Sequence, residues 1–577
     1  MFTHYLKNLL LKNRFNQRFL LFFRKLGWRC CLFLTLLFTV PAFFSLLRPG
    51  FFSMQDDLQA FRIYEMDKCF SDFQIPCRWV PDAGYGYGYP QFNYYAPFVY
   101  YLGEIIHLVG FQFIDAVKIL FVLGFLVGAF GIYTLIASIT TPFIGFVSAI
   151  LFTFSPFRAQ EVYVRGSLSE FWAVSLFPIV LYLIYRLVKF PNSRNIGFLA
   201  VSIGVLTLTH NLLPFIFVPI AVFWSVFWAR SEGKFNVLVK VFLGSLIGVG
   251  IASFFLIPML LERGFVHVDS LLSGYFDYRR HFVSLKQIFL SNKFGYGSSD
   301  LGEGDDLSLN IGLVLLYSAL ASIPLALLRF KKEKKYSSLA FLLIGILISS
   351  LFLMHLRSSF LWEVFMPLVW LQFPWRFLAI SILVSAILAG ITMKFLGFLK
   401  FGIGLILIIL VFSFHGSFFQ PKDWFSSSDD QKFSGESWER QLTISIFDYL
   451  PISAELPPKE KANILPEILS GEAIITDFEK GSNFQRFNLE IIKPANVRVQ
   501  LYDFPEMKVS IDGRDTRHFR DCENQDPCLG LVSFDISEGN HSVLISLENT
   551  FIRSFSNITS LLFMGLTAVL ISRKKHE

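Results

Sequence analysis

The chain has 577 residues, of which 54% are hydrophobic and only 16% are charged, and 69 of them are phenylalanine. Soluble domains carry about 25% charged residues, so this composition excludes a disordered chain and an ordinary cytosolic enzyme. The formal net charge of +7 is spread thinly along the chain and argues against a nucleic-acid partner. We therefore expect a polytopic α-helical membrane protein.

The first 29 residues form a basic segment without an acidic residue. The positive-inside rule places such a segment, and with it the N-terminus, in the cytoplasm. Residues 30–47 follow as the first apolar run. We interpret this run as a retained helix and not as a signal peptide, because the basic region is too long and no small-residue cleavage site follows.

Apolar runs along the chain predict about twelve membrane spans. They lie at about 30–47, 114–137, 142–155, 168–187, 196–211, 213–229, 237–258, 309–329, 337–354, 373–394, 401–415 and 556–572. Alternation from a cytoplasmic start puts the basic stretches 331–335 and 573–575 inside, so the C-terminus is cytoplasmic too. The pair 196–229 has an alternative interpretation, one long helix broken at Pro214.

The predicted organisation has four parts. They are a cytoplasmic basic segment (1–29), a transmembrane domain (30–415) with a first outside loop (48–113), an extracytoplasmic domain (416–555), and a last helix with a basic tail (556–577). From about residue 484, apolar and polar residues alternate, which predicts strands. Asp512-Gly513 and Glu538-Gly539-Asn540 predict hairpins, and a small β-sandwich is the expected fold.

Two local pairs of cysteines lie in the predicted outside segments, Cys69 with Cys77 and Cys522 with Cys528. We expect two short-loop disulfides if the compartment is oxidising, and free thiols are the alternative. A zinc site would need tighter clusters that include histidine.

Asp56 and Asp57 follow the first predicted helix at its outer end. A carboxylate there can act as a general base, or position a nucleophile or a metal, at the lipid–water boundary. The structural alternative is that the pair caps the next helix, since Asp is a strong N-cap residue.

A glycine–tyrosine loop follows, with Trp79, Tyr85, Tyr87 and Tyr89. No strand precedes it and no helix with Lys-Ser/Thr follows, so it is not a phosphate-binding loop. Its aromatic faces are expected to be exposed and could stack on a sugar, or they could lie in the interfacial aromatic belt.

Arg158, Arg165 and Arg376 lie in predicted outside positions, against the positive-inside bias. An outside arginine beside an apolar groove suits a lipid phosphate or diphosphate. The alternative is an ion pair with Glu170 that closes the top of the helix bundle. His210-Asn211 ends the fifth helix, where a lone histidine is more often a packing residue than a catalyst.

In order along the chain, these motifs resemble the GT-C class of integral-membrane glycosyltransferases. They look like the bacterial and archaeal membrane family labelled "6-pyruvoyl-tetrahydropterin synthase-related", a label that does not indicate pterin chemistry here. The matching motifs are Asp56-Asp57 with Phe61-Arg62-Ile63, Arg78-Trp79 to Tyr89-Pro90, Tyr163 to Glu170, Thr209-His210-Asn211 and Leu371 to Arg376. Asp448-Tyr449-Leu450-Pro451 and Tyr502 to Gly513 resemble the terminal β-domain of a related glycosyltransferase group, although Met507 stands where that group has Trp.

The resemblance implies transfer of a sugar from a polyprenyl-phosphate carrier to a glycan, lipid or protein acceptor outside the cytoplasmic membrane. Asp56 or Asp57 would be the general base or would aid a divalent cation, Mg²⁺ or Mn²⁺; no metal ligand set is assigned and no other cofactor is expected. We infer that Arg158, Arg165 and Arg376 hold the lipid phosphate and that Glu170 is a second acid or orients an arginine. The candidate sugar- or acceptor-binding residues are Arg62, Trp79, Tyr85, Tyr87, Tyr89, His210 and Asn211.

Two other functions are compatible with the sequence. A transporter or flippase of lipid-linked substrates would place polar groups near the membrane midplane, often in internal repeats, and neither feature is apparent. A non-catalytic surface-assembly protein would use the terminal domain as its binding module and would not need the acidic loop.

Overall fold

The structure is a computed structural model that describes residues 27–301, 305–522, 525 and 527–573. Most of the predicted basic segment 1–29 and the last four residues of the tail lie outside the described residues. In chain order the helices up to residue 261 are α1 Trp28–Thr39, α2 Gln59–Ser71, α3 Gln91–Tyr94, α4 Phe98–Leu108, α5 Phe113–Ile139, α6 Pro142–Thr153, α7 Pro156–Tyr163, α8 Leu168–Lys189, α9 Ser193–Thr209, α10 Leu213–Ser231, α11 Val237–Ile251 and α12 Ser253–Leu261.

The remaining helices run from the middle of the chain to its end. They are α13 Leu285–Phe289, α14 Leu313–Leu320, α15 Ser322–Arg329, α16 Lys334–Met354, α17 Ser359–Val364, α18 Leu378–Phe395, α19 Lys400–His415, α20 Asp429–Lys432, α21 Gly435–Thr443 and α22 Phe551–Ser572. Short 3₁₀ turns connect several of them, and the turn Pro374–Phe377 leads directly into α18.

Each of the twelve predicted spans lies over a helix or a bent helix pair, but twelve full spans are not confirmed. Among the described residues, seven helices are long and apolar enough to cross a membrane, and two bent pairs raise the number to nine. The pairs are α6 with α7, bent by 48°, and α11 with α12, bent by 74°. The other three predicted spans correspond to shorter apolar helices, at Trp28–Ala42, Ser193–Thr209 and Leu313–Arg329.

Proline explains two of these interruptions. Pro41 lies at the start of the 3₁₀ turn that follows α1, and Pro156 begins α7 directly after the break in its pair. A proline lacks the N–H of the helical ladder and disfavours a helical conformation in the preceding residue. A run of apolar residues is therefore continuous in sequence although its helix is not.

The helix bundle is organised around the span Pro374–Phe395, of which 94% of the most apolar window is buried. In the last helix, α22, only 17% of the corresponding window is buried, so most of its apolar side chains remain free to face lipid. The polar residues that concern function lie where α2, α8 and the turn before α18 begin.

The terminal domain contains seven strands that form one antiparallel sheet. They are β3 Glu467–Lys480, β4 Phe484–Tyr502, β5 Met507–Ile511, β6 Arg514–Thr516, β7 Phe519–Asp521, β8 Leu531–Ile536 and β9 Gly539–Leu547, in the order β6-β5-β9-β4-β8-β7 with β3 on the other side of β4. The prediction of strands is correct, but the strands hydrogen-bond as one sheet built around β4 and not as two separate sheets.

One predicted hairpin forms and the other does not. Asp512 and Gly513 both have positive φ and turn β5 back onto β6. At Glu538–Asn540 the chain continues instead, because β8 pairs with the second half of β4 (Ala495–Tyr502) and β9 with the first half (Phe484–Ile491). Pro494 of β4 lies opposite the gap between β8 and β9 and cannot donate a ladder hydrogen bond. The pairing with β4 is therefore broken at this point, but β9 continues along β4 in the same direction as β8.

Candidate active site

A cavity of about 600 Å³ opens where the first loop, the helix bundle and the segment before the sheet meet. Its charged and polar lining includes Asp56, Arg62, Arg165, Glu170, His210, Asn211, Arg263, Gln372, Arg376, Asp448 and Tyr449. Trp370, Phe373, Trp375, Tyr95 and Tyr275 supply aromatic walls. The cavity therefore combines ionised groups with apolar surface, as small-molecule sites commonly do. We call it the central cavity.

The backbone brings the first loop against the segment after α7. The N–H of Gln55 donates to the carbonyl of Val164 at 2.9 Å, and the N–H of Asp56 donates to the carbonyl of Arg165 at 2.9 Å. These two hydrogen bonds place the acidic loop beside Arg165 although more than a hundred residues separate them in sequence. β1 (Phe51–Phe52) and β2 (Trp424–Phe425) pair just before this contact and attach the loop to the terminal segment.

Two arginines and two glutamates form a buried ion network at one wall of the central cavity. Arg165 Nη1 lies 2.6 Å from Glu161 Oε1 and 3.0 Å from Glu170 Oε2. Arg376 Nε lies 3.4 Å from the same Glu170 oxygen. Glu170 thus orients both cations, and its other oxygen has no hydrogen-bond partner among the described residues.

Asp56 and Asp57 are adjacent in sequence but lie in different environments. The Oδ2 atom of Asp56 accepts hydrogen bonds from Gln59 Nε2 at 2.7 Å and Arg62 Nη1 at 3.0 Å, and its side chain lines the central cavity. Asp57 is bound by Lys432 Nζ at 2.6 Å and is not among the cavity-lining residues. Burial raises the pKa of Asp57, and Lys432 opposes that effect.

His210 and Asn211 line the central cavity, but their hydrogen bonds are structural. His210 Nδ1 accepts from the N–H groups of Leu212 and Leu213 at 3.0 and 3.1 Å and so caps α10. The Asn211 side chain accepts from the N–H of Ala96 and donates to the carbonyl of Tyr94 at 2.6 Å, which fixes the first loop to the helix hairpin.

Arg158 lies inside the helix bundle and does not line the central cavity. Its guanidinium donates to the carbonyls of Phe171 and Gly124 and to Ser175 Oγ, at 2.8 to 3.2 Å, and packs on the Phe171 ring at 4.0 Å. These contacts join α5, α7 and α8. We therefore leave Arg158 out of the phosphate-binding proposal below.

The glycine–tyrosine loop packs against the terminal domain, contrary to the expectation of exposed aromatic faces. Trp79 contacts Phe504, and Tyr87 contacts Tyr502 while its carbonyl accepts from the Tyr502 N–H. The Tyr89 hydroxyl donates to the carbonyls of Ser445 and Ile446, and the Tyr85 carbonyl accepts from Ala462. Trp79, Tyr87 and Tyr89 are buried in this contact and Tyr85 is half-buried, which removes apolar surface from water. None of the four lines the central cavity.

Asp448 is a cavity residue that the site prediction did not include. It lies in the segment between α21 and the sheet, and its neighbour Tyr449 also lines the cavity. Burial raises the pKa of Asp448 to about 6, Arg62 lowers it and Asp56 raises it, so all three groups interact. The motif Asp448 to Pro451 was the only sequence signal, and it could not show that this segment returns to the first loop.

The two predicted cysteine pairs form disulfides in the structure. The structure joins Cys69 to Cys77 and Cys522 to Cys528, with Cα–Cα distances of 5.6 and 5.0 Å, and neither disulfide includes Cys30 or Cys31. The described residues contain no group of three or more His, Cys, Asp or Glu side chains placed to hold a metal ion.

The fold defines a polytopic membrane protein with a β-rich terminal domain. Residues 92–302 match the "6-pyruvoyl-tetrahydropterin synthase related domain; membrane protein" family, which confirms the resemblance for that part of the chain. An uncharacterized protein of Lactococcus lactis subsp. cremoris (strain MG1363) is 25% identical over 254 residues. The match covers 41% of this chain and 40% of that relative, so it spans less than half of either.

Three solved structures are similar to part of this chain. Arabinofuranosyltransferase AftD from Mycobacteria has a TM-score of 0.43 and 15% identity, over 69% of this chain and 27% of that chain. The Archaeoglobus fulgidus oligosaccharyltransferase has a TM-score of 0.43 and 14% identity, over 74% and 64%. ArnT from Cupriavidus metallidurans, bound to undecaprenyl phosphate, has a TM-score of 0.33 and 15% identity, over 67% and 64%. These low TM-scores describe a partial likeness.

Proposed function

We propose that the protein is a membrane glycosyltransferase that moves a sugar from a polyprenyl-phosphate carrier to an acceptor on the extracytoplasmic side of the cytoplasmic membrane. The supporting observation is the central cavity, where Asp56, Arg165 and Arg376 converge from three distant parts of the chain. Such a transfer needs a carboxylate that accepts a proton and cations that bind a phosphate.

In the proposed reaction, the Asp56 carboxylate accepts the proton of an acceptor hydroxyl. The oxygen of that hydroxyl attacks the anomeric carbon, the bond from that carbon to the phosphate oxygen breaks, and the polyprenyl phosphate leaves with the bonding electron pair. Arg165 and Arg376 stabilise the charge that develops on the leaving phosphate. Asp56 is preferred to Asp57, because Lys432 holds Asp57 and Asp57 does not line the central cavity.

Glu161 and Glu170 also affect how tightly the proposed donor phosphate binds. They neutralise Arg165 and Arg376 before any donor binds, so the donor phosphate must compete with two carboxylates for its hydrogen bonds. Phosphate binding is therefore weaker than binding to two unpaired arginines would be, which favours release of the polyprenyl phosphate after transfer. Glu170 is a positioning residue in this arrangement and not a catalytic residue.

The experiment compares Asp56→Asn with Asp57→Asn in reconstituted vesicles that contain a panel of polyprenyl-phosphate sugars and acceptors. Release of polyprenyl phosphate is followed by mass spectrometry. We expect Asp56→Asn to lower the rate by about 10²- to 10⁴-fold, the usual contribution of a general base. Asp57→Asn removes the ion pair with Lys432 and is expected to keep the rate within about tenfold.

Thermal unfolding of both variants shows whether a loss of rate reflects a loss of fold. Full activity of Asp56→Asn would overturn the assigned mechanism. Movement of the lipid-linked sugar across the vesicle bilayer, without release of polyprenyl phosphate from any donor, would overturn glycosyl transfer itself in favour of a flippase.

A further inference from the structure

A second, smaller cavity of about 180 Å³ lies where the loop after α2 meets the start of α22. Its lining includes Phe73, Ile75, Arg78, Glu548, Asn549 and Arg553. Within the described part of the chain it shares no lining residue with the central cavity. We call it the Arg78–Arg553 cavity.

The buried charges beside this cavity do not balance. Arg553 and Glu262 form an ion pair of 2.8 Å, and both side chains are almost fully buried. Arg78 is also buried, and among the described residues its guanidinium donates to neutral groups only, namely Asn93 Oδ1, Asn557 Oδ1 and the Phe254 carbonyl. Two guanidinium groups thus face one carboxylate, and a buried charge without a partner is costly.

The remaining charged lining residue does not correct this imbalance. Glu548 is paired with Lys508, with 2.7 Å between Oε2 and Nζ. Burial and the nearby Arg553 lower the pKa of Arg78 to about 10, while Glu262 opposes that shift. Arg553 Nη2 and Arg78 Nε are buried without a hydrogen-bond partner among the described residues. The cavity is thus lined by two arginines beside one buried carboxylate, and this excess positive charge suits an anion.

The surroundings of the cavity are apolar and exposed. Phe73 is 88% exposed and Ile75 is 65% exposed at the tip of the loop that the Cys69–Cys77 disulfide closes. Phe551, two residues before Arg553, is 84% exposed at the start of a helix long and apolar enough to span a membrane. Large exposed aromatic rings beside the end of a span are expected at the level of lipid head groups.

We propose that the Arg78–Arg553 cavity binds the phosphate of a membrane phospholipid head group. The phosphate oxygens accept hydrogen bonds from Arg553 and Arg78 and supply the missing negative charge, as guanidinium–phosphate pairs do. Phe73, Ile75 and Phe551 lie among the acyl chains beside it. This site is separate from the donor site proposed above, and it would attach the first loop and the last helix to the same lipid.

The test uses the full-length protein in bilayer discs that contain phosphatidylcholine and phosphatidylglycerol. Native mass spectrometry then measures how much phosphatidylglycerol each chain retains. Asn549→Asp adds a carboxylate to the lining of the cavity without touching the buried ion pair. Asn540→Asp makes the same change at an exposed position in the sheet, away from the cavity lining, and is the matched control.

We expect the wild type and Asn540→Asp to retain one more phosphatidylglycerol per chain than Asn549→Asp, with at least about fivefold weaker retention in the latter. Phe73→Asn should also weaken retention without changing thermal unfolding, since the ring is exposed and asparagine tolerates the positive φ of 57° at this position. Equal retention by the two Asn→Asp variants would overturn the site. Displacement of the lipid by millimolar inorganic phosphate would overturn the assignment to a lipid.

Discussion

Asp448 contributes a further carboxylate to the central cavity, which Asp56 and Glu170 also line. In the proposed reaction, an ionised Asp448 helps to stabilise the positive charge that develops on the anomeric carbon as its bond to the phosphate oxygen breaks. The pKa of about 6 for Asp448 means that this support is lost on acidification. We expect the rate of transfer to fall as the pH drops through about 6, and Asp448→Asn to lower the rate several-fold and to remove this limb of the pH profile.

The same substitution has a predicted effect on stability. Since the pKa of Asp448 is raised above its usual value of about 3.9, this group favours the folded state fully below about pH 4 and loses that contribution as the pH rises through 6. Asp448→Asn removes an ionised group from a half-buried, poorly solvated site and should raise the free energy of unfolding at pH 7 by about 1–3 kcal/mol. Exposed Asp430→Asn is the control, and an unchanged pH profile of Asp448→Asn would contradict the prediction.

The glycine–tyrosine loop is the element that joins the membrane domain to the terminal domain. Gly86 and Gly88 both have positive φ, at 89° and 81°, so alanine is strained at either position. A Cβ at Gly88 would lie 2.4 Å from Nε1 of the buried Trp79, whereas at Gly86 its nearest neighbour is Ala462 Cβ at 3.3 Å. The two glycines thus share the backbone requirement and differ in the space around them.

We therefore expect Gly88→Ala to destabilise the protein by about 2 kcal/mol more than Gly86→Ala, since the clash adds to the backbone strain. Thermal unfolding of the two variants in one detergent measures the difference. Equal melting temperatures would show that Trp79 moves aside at little cost, and that this loop does not hold the two domains together.

The lysines and arginines of the chain predict the orientation of the molecule in the membrane. The basic stretch 331–335 is expected in the cytoplasm, and the β-rich domain with the central cavity on the opposite side. In a Cys30→Ser/Cys31→Ser background, which removes the two cysteines outside the disulfides, Glu538→Cys should react with a membrane-impermeant maleimide in intact cells. Lys332→Cys should react only after permeabilisation. The reverse pattern would place the central cavity in the cytoplasm and contradict the proposed donor.

Much of the fold could be predicted because the membrane restricts what a sequence can do. Apolar runs of the length of a bilayer must become helices, since only helices satisfy the backbone inside a single apolar segment. The helices match the predicted runs closely for this reason. The bends at Pro156 and Ala252 and the short first helix were missed, because hydropathy averages over a break that single residues cause.

The candidate site could be predicted only in part. Seven predicted residues line the central cavity, namely Asp56, Arg62, Arg165, Glu170, His210, Asn211 and Arg376. Polar side chains at the outer ends of neighbouring spans avoid lipid and face the interior of the bundle or a cavity. Asp57 and Arg158 are of the same residue types and lie in comparable sequence positions, but neither lines the cavity. Asp57 is paired with Lys432, and Arg158 binds Ser175 inside the helix bundle. Residue type and depth in the membrane do not indicate which way a side chain points.

The sequence by itself determined the membrane class, the approximate course of the helices and the strand-rich end, because hydropathy and periodicity are local properties. Only the tertiary structure decided which acid of the pair Asp56-Asp57 faces the central cavity, that Asp448 joins it, and that the tyrosine loop is buried. It also decided that Arg78 and Arg553 share one carboxylate. Each of these features depends on contacts between residues far apart in the chain. Those contacts also determine burial, and burial sets the strength of a charge interaction.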